Sequence, residues 1–96
     1  MDKFVQTLTL CKRANKLIIG FDCVKRVVRL GTAEVVITAA DLSEKTLKEV
    51  KFLANEMEVP LISTDKTLDE LWYIIGKRAG VMAITDYKLA QKLICK

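Results

Sequence analysis

The residues with the clearest chemical possibilities lie between Lys16 and Arg29. Lys16-Leu17-Ile18-Ile19 leads into Gly20, and Phe21-Asp22-Cys23-Val24-Lys25-Arg26 follows, with Arg29 one turn further on. Apolar Leu17 to Ile19 reads as a short strand, and Phe21 to Leu30 reads as a helix. A glycine between them allows a sharp turn that leaves the first amides of the helix pointing outward at its positive end. Lys25, Arg26 and Arg29 share one polar face with Asp22, while Val24, Val27 and Val28 form an apolar stripe. Amides and cations so arranged can hold phosphate oxygens, and such contacts set affinity and register rather than sequence choice. The plainer reading is an ordinary strand-to-helix connection with a solvated outer face. These residues alone leave the two readings open.

Charge distribution points the same way as that segment. The chain has 96 residues and a formal net charge of +4. Residues 1–31 hold seven cations (Lys3, Lys12, Arg13, Lys16, Lys25, Arg26, Arg29) against two anions (Asp2, Asp22), so the whole basic excess sits in the first third. A one-sided basic surface is the electrostatic footprint of a polyanion binder. Its alternative is a surface that is merely soluble.

Catalytic groups are scarce. The chain has no histidine, which removes the commonest general base and metal ligand near neutral pH. Neither G-x-x-x-x-G-K nor G-x-G-x-x-G occurs, and Gly76-Lys77 lacks the rest of a phosphate loop. Ser43 and Ser63 have no histidine to activate them. Cys23, near a helix start among cations, is the only candidate thiol nucleophile, and it too lacks an activating partner. Asp65, Asp69 and Glu70 form an acidic cluster, which at a helix start complements the helix dipole more often than it does acid-base chemistry. Three cysteines (Cys11, Cys23, Cys95) without C-x-x-C spacing indicate neither a disulfide frame nor a zinc site. No apolar run is long enough to span a membrane, and Met1-Asp2-Lys3 does not open a signal sequence. The expectation is a cytoplasmic protein with no cofactor, no metal and no catalytic residues.

The elements that must position the basic segment follow from periodicity. Residues 4–14 carry Val5, Leu8 and Cys11 at helical spacing, and Asn15 ends that helix. Glu34 to Ala39 is a β-branched strand. Asp41 or Ser43 caps the next helix, whose inward face is Leu47, Val50, Ala54 and Met57. Glu58-Val59-Pro60 breaks it before a strand at Leu61 to Ser63. Thr67 and Glu70 make a capping box for a helix with Leu68, Leu71, Trp72 and Ile75 on an apolar stripe, closed by Gly76. On that stripe Trp72 is expected to pack in the core. Val81 to Ile84 is the last strand, and Asp86 caps a helix with Leu89, Ala90, Leu93 and Ile94 inward. This alternation predicts one domain over residues 1–96, a three-layer α/β/α sandwich around a four-stranded sheet.

The stretches KRANKLIIGFD, EVVITAADLSEKTLKEV, VPLIST and IIGKRAGVMAITDYKLAQKLI together resemble the kink-turn RNA-binding superfamily of archaeal and eukaryotic large-subunit ribosomal proteins. Within it the chain is most similar to the small bacterial YlxQ-like group, and the resemblance covers nearly the whole length. It implies a mixed four-stranded sheet, a non-catalytic role and structured RNA as partner, ribosomal RNA and the transcription or translation machinery included. A monomer is expected.

In that superfamily a G-x-N-E motif opens the second helix, with a lysine three residues after the glutamate, and reads sheared guanine-adenine pairs. By position, Gly20 is the glycine, Asp22 replaces the asparagine, Cys23 replaces the glutamate and Arg26 replaces the lysine. Lys16 matches an upstream basic residue. Phe21, Lys25 and Arg29 complete the implied contact surface. The loop before the last strand covers an extruded base, and here it runs from about Gly76 to Gly80 with Lys77, Arg78 and Ala79. Asp22 lacks an amide donor and Cys23 lacks the carboxylate acceptor. Lys77 and Arg78 stand where kink-turn binders favour apolar residues. The resemblance therefore implies RNA binding with loosened kink-turn recognition. The alternative is a protein-interaction adaptor on the same fold, with Phe21 as its exposed apolar contact.

Overall fold

A computed structural model describes residues 3–94. Met1, Asp2 and Cys95 of the sequence reading lie outside the described residues. The order is α1 (Lys3–Arg13), β1 (Leu17–Ile19), α2 (Phe21–Leu30), β2 (Val35–Thr38), α3 (Glu44–Glu56), β3 (Leu61–Ser63), α4 (Leu68–Ile75), β4 (Val81–Ile84) and α5 (Tyr87–Ile94). The strands form one sheet in the order β1-β4-β2-β3. β4 is antiparallel to both β1 and β2, whereas β2 and β3 are parallel. The expected mixed sheet is present.

Alternation along the two central strands builds two cores. Val35, Ile37, Met82 and Ile84 pack with Leu8 and Cys11 of α1, Leu71 and Ile75 of α4 and Ala90 of α5. Val36, Val81 and Ala83 turn to the opposite face and meet Val24 and Val28 of α2 and Val50 and Leu53 of α3. β2 and β4 are buried at every position, which is why they read as unbroken β-branched or apolar runs.

Helix ends follow local chemistry, with some changes from the expected assignments. Ser43 caps α3, its hydroxyl accepting from the Thr46 amide at 3.3 Å. Asp41 serves a different helix, its carboxylate accepting from the Leu68 amide at the start of α4 at 2.8 Å. Thr67 and Glu70 form the capping box as expected, so the Glu70 carboxylate is engaged with the Thr67 amide at 3.0 Å. Two inward assignments are corrected. Met57 is exposed, because α3 ends at Glu56 and Met57 has left the helical stripe. Trp72 is 51% exposed, because Leu71 and Ile75 are the positions of α4 that face the sheet. The neighbouring position lies about 100° around the helix from Leu71.

Gly80 shows how tightly the last loop enters the core. A Cβ there would lie 2.6 Å from Leu42 Cδ1 and 3.0 Å from Leu68 Cδ2. Its carbonyl accepts from the Ala39 amide at 2.8 Å, which pins the loop end to β2.

Candidate nucleic-acid interface

Gly20 is the N-cap of α2 with φ 102° and ψ 144°, a conformation that only glycine adopts without strain. Its amide donates to the Val81 carbonyl at 2.9 Å, and its carbonyl accepts from Val24 at 2.9 Å. No side chain caps this helix end. The first-turn amides therefore keep their outward direction at the positive pole of the helix. Asp22, which could have turned back to cap the helix, is exposed and does not.

Exposed Arg26 and Arg29, half-buried Lys25, and Asp22 and Leu30 line a shallow hollow of about 380 Å³ along α2. On the other flank a groove of about 400 Å³ runs between α2 and α3. Phe21, Lys25, Arg29, Lys48 and Phe52 line it, together with two glutamates of α3. Phe21 is half-buried against the α2–α3 core rather than standing out as an apolar contact. The exposed apolar residue of this groove is Phe52, at 70%. Sequence reading passed over it because it lies one position before the buried Leu53 in the same helix.

The Gly20–Val81 hydrogen bond has a consequence for the other predicted contact. Because β1 runs antiparallel to β4, the end of β1 meets the beginning of β4. The loop from Gly76 to Gly80 therefore lies at the same end of the sheet as the start of α2. Two segments some 60 residues apart in sequence are brought to one edge. Lys77 is exposed there and Ala79 is half-buried. Arg78 folds back to form an ion pair with Asp69 of α4. Gly76 takes the left-handed conformation that ends α4, and the Lys12 ammonium of α1 donates to the Ile75 carbonyl at 2.5 Å. Lys16 is not part of this edge. Its carbonyl accepts from Thr85 at the far end of β1, about 13 Å from Gly20 at strand spacing.

Among the described residues no group of three potential ligands is placed to hold a metal, and no helix is long and apolar enough to cross a membrane. The two described cysteines differ sharply. Cys23 is exposed on the first turn of α2, while Cys11 is buried under the sheet. Burial, reinforced by Asp86 and opposed by Lys92, pushes the Cys11 thiol from 9.0 up to about 11. A neutral Cys11 is thus favoured by folding. Its stabilising effect is complete below pH 9 and is lost as the pH rises toward 11. We expect peptide mapping after alkylation to find Cys23 modified and Cys11 protected in the native protein. Unfolding titrations should show a loss of stability above pH 9 that Cys11→Val removes. Equal modification of both thiols under native conditions would contradict this burial.

Comparison with known proteins agrees with this fold. Over 88 residues the chain is 36% identical to the RNA-binding protein YlxQ of Bacillus subtilis (strain 168), covering 91% of this chain and 87% of that one. It is 34% identical over 90 residues to the RNA-binding protein YlxQ of Enterococcus faecium, covering 94% and 86%. A solved structure of a protein with unknown function from Bacillus halodurans C superposes with a TM-score of 0.91 at 25% identity, over 98% of this chain and 95% of that one. The sequence pattern of one family matches residues 2–94, and the chain belongs to it: the ribosomal protein L7Ae/L30e/S12e/Gadd45 family.

Proposed function

We propose that this protein is a non-catalytic RNA-binding protein of the cytoplasm, acting as a monomer on structured, kink-turn-like RNA of the ribosome or of the transcription and translation machinery. The observation that carries the reading is the Gly20–Val81 hydrogen bond, which holds the uncapped start of α2, the helix that carries Lys25, Arg26 and Arg29, beside the loop from Gly76 to Gly80. Amides at a helix start, three cations along the same helix and a second loop at the same edge can grip a bent backbone from two sides. The relatives described above carry the name RNA-binding protein, which supports the same reading.

The test is binding to a kink-turn RNA across a salt series, beside the same RNA with its guanine-adenine pairs replaced. The logarithm of the affinity should fall with the logarithm of salt concentration with a slope of about −3, as Lys25, Arg26 and Arg29 displace counterions. The intact kink-turn should bind more tightly than its altered partner. Equal, salt-dependent binding to both would keep RNA and discard the kink-turn. No binding to either RNA would favour the adaptor reading, for which the exposed Phe52 in the α2–α3 groove supplies the contact.

A further inference from the structure

The outer face of α4 carries two aromatic side chains that the core does not use. Tyr73 is 93% exposed and Trp72, the only tryptophan of the chain, is 51% exposed. With Asp69 they line an open hollow of about 340 Å³. Charge around it is arranged in a particular way. Arg78 pairs with Asp69, so the one carboxylate of the hollow is neutralised. Lys12 reaches across from α1 to the last carbonyl of α4, and Lys77 follows the Gly76 turn directly. The hollow is therefore an aromatic surface along α4 whose one carboxylate is paired, with Lys12 and Lys77 at the C-terminal end of the same helix, where it feeds the loop from Gly76 to Gly80.

We propose that Trp72 and Tyr73 form a stacking platform for an unpaired nucleotide of the bound RNA, with Lys77 and Lys12 facing its phosphates. Exposed aromatics beside cations are what a single-stranded segment requires. Every base has a π-face, and the backbone that connects the bases is anionic. The loop residues that adjoin the start of α2 continue directly into this platform through Gly76. An RNA held at that edge can pass one strand along α4 without leaving the protein. The platform rests on the RNA-binding reading above and extends its footprint from the α2 face of the sheet to the face covered by α1, α4 and α5.

The single tryptophan makes the test direct. A kink-turn RNA carrying an oligoadenylate overhang, and the same RNA with blunt ends, are titrated into the full chain. Tryptophan emission is followed with excitation where tyrosine does not absorb, and affinity is measured separately by filter binding. The expected result is quenching by the overhang RNA that the blunt RNA does not match. Tyr73→Ala and Trp72→Ala should bind the overhang RNA on the order of tenfold more weakly, with the blunt RNA unaffected. Thermal unfolding of Tyr73→Ala should match the parent, since that side chain is nearly fully exposed.

Tight binding of both RNAs with unchanged emission and unchanged affinity in both variants overturns the platform and leaves the RNA-binding reading standing. Quenching without any loss of affinity also overturns it, because the nucleotide would then lie near the indole without stacking. No binding of either RNA by the parent chain removes both readings together. Emission that changes instead on concentrating the protein alone would assign the patch to a second copy of the chain and overturn it for RNA.

Discussion

Reversing two charges in Arg26→Glu/Arg29→Glu is expected to weaken RNA binding at least about a hundredfold. Both guanidinium groups are exposed on α2, on the hollow that begins at Asp22. A hydrogen bond between charged partners contributes about 1.5–3 kcal/mol, so two lost contacts account for about 3 kcal/mol or more. Repulsion between the new carboxylates and the phosphates adds to this. The fold should survive. Arg29 lies in the last turn of α2, where an anion opposes the helix dipole, and the stability loss should be about 1 kcal/mol.

Net charge alone must be separated from position. Each reversal removes two charges, so the variant falls from +4 to neutral. Lys88→Glu/Lys92→Glu makes the same change on α5, on the opposite face of the sheet. This control should weaken binding far less than the α2 variant does. If the two variants lose affinity equally, the interaction is a general attraction to polyanions and α2 has no special place in it.

The layers of this fold are readable because its two central strands are buried on both sides and α3 and α4 carry local caps. Val35 to Thr38 and Val81 to Ile84 are unbroken apolar or β-branched runs, and Thr67 with Glu70 is a local signature complete within four residues. Trp72 departs from its expected core position for a physical reason. It adjoins Leu71, and an aromatic on a short amphipathic helix satisfies helical spacing on either side of the boundary between core and solvent. Asp41 was ambiguous because its partner, the Leu68 amide, is 27 residues away.

The candidate site divides along the same line. Gly20 and the cations of α2 are contiguous, and their conformation is set by local turn and helix chemistry. The contact of Gly20 with Val81, the ion pair of Arg78 with Asp69 and the distance of Lys16 from Gly20 all depend on β1 entering the sheet antiparallel to β4. Periodicity does not encode strand order. The family resemblance points to two candidate segments, and the antiparallel pairing of β1 with β4 supplies the reason they meet.

The sharpest test of what the site reads is a repair rather than a loss. Asp22→Asn/Cys23→Glu restores the amide and the carboxylate that the kink-turn motif carries at these positions. Both parent side chains are exposed on the first turn of α2. One acid is removed and one is added, so the net charge stays at +4 and the salt slope should not change. The new Glu should remain available to RNA. Its usual local competitor at this helix position is the N-cap amide, and the Gly20 amide is already given to Val81. Each restored base contact is worth about 1–3 kcal/mol of discrimination. Preference for an intact kink-turn over one with its guanine-adenine pairs replaced should therefore rise at least about tenfold. That result would mean the backbone at Gly20 still presents this turn to the pairs, and that Asp22 and Cys23 alone loosen its selectivity. An unchanged preference, with binding itself intact, would mean the α2 start grips RNA by its phosphates and that this chain's RNA is chosen elsewhere on its surface.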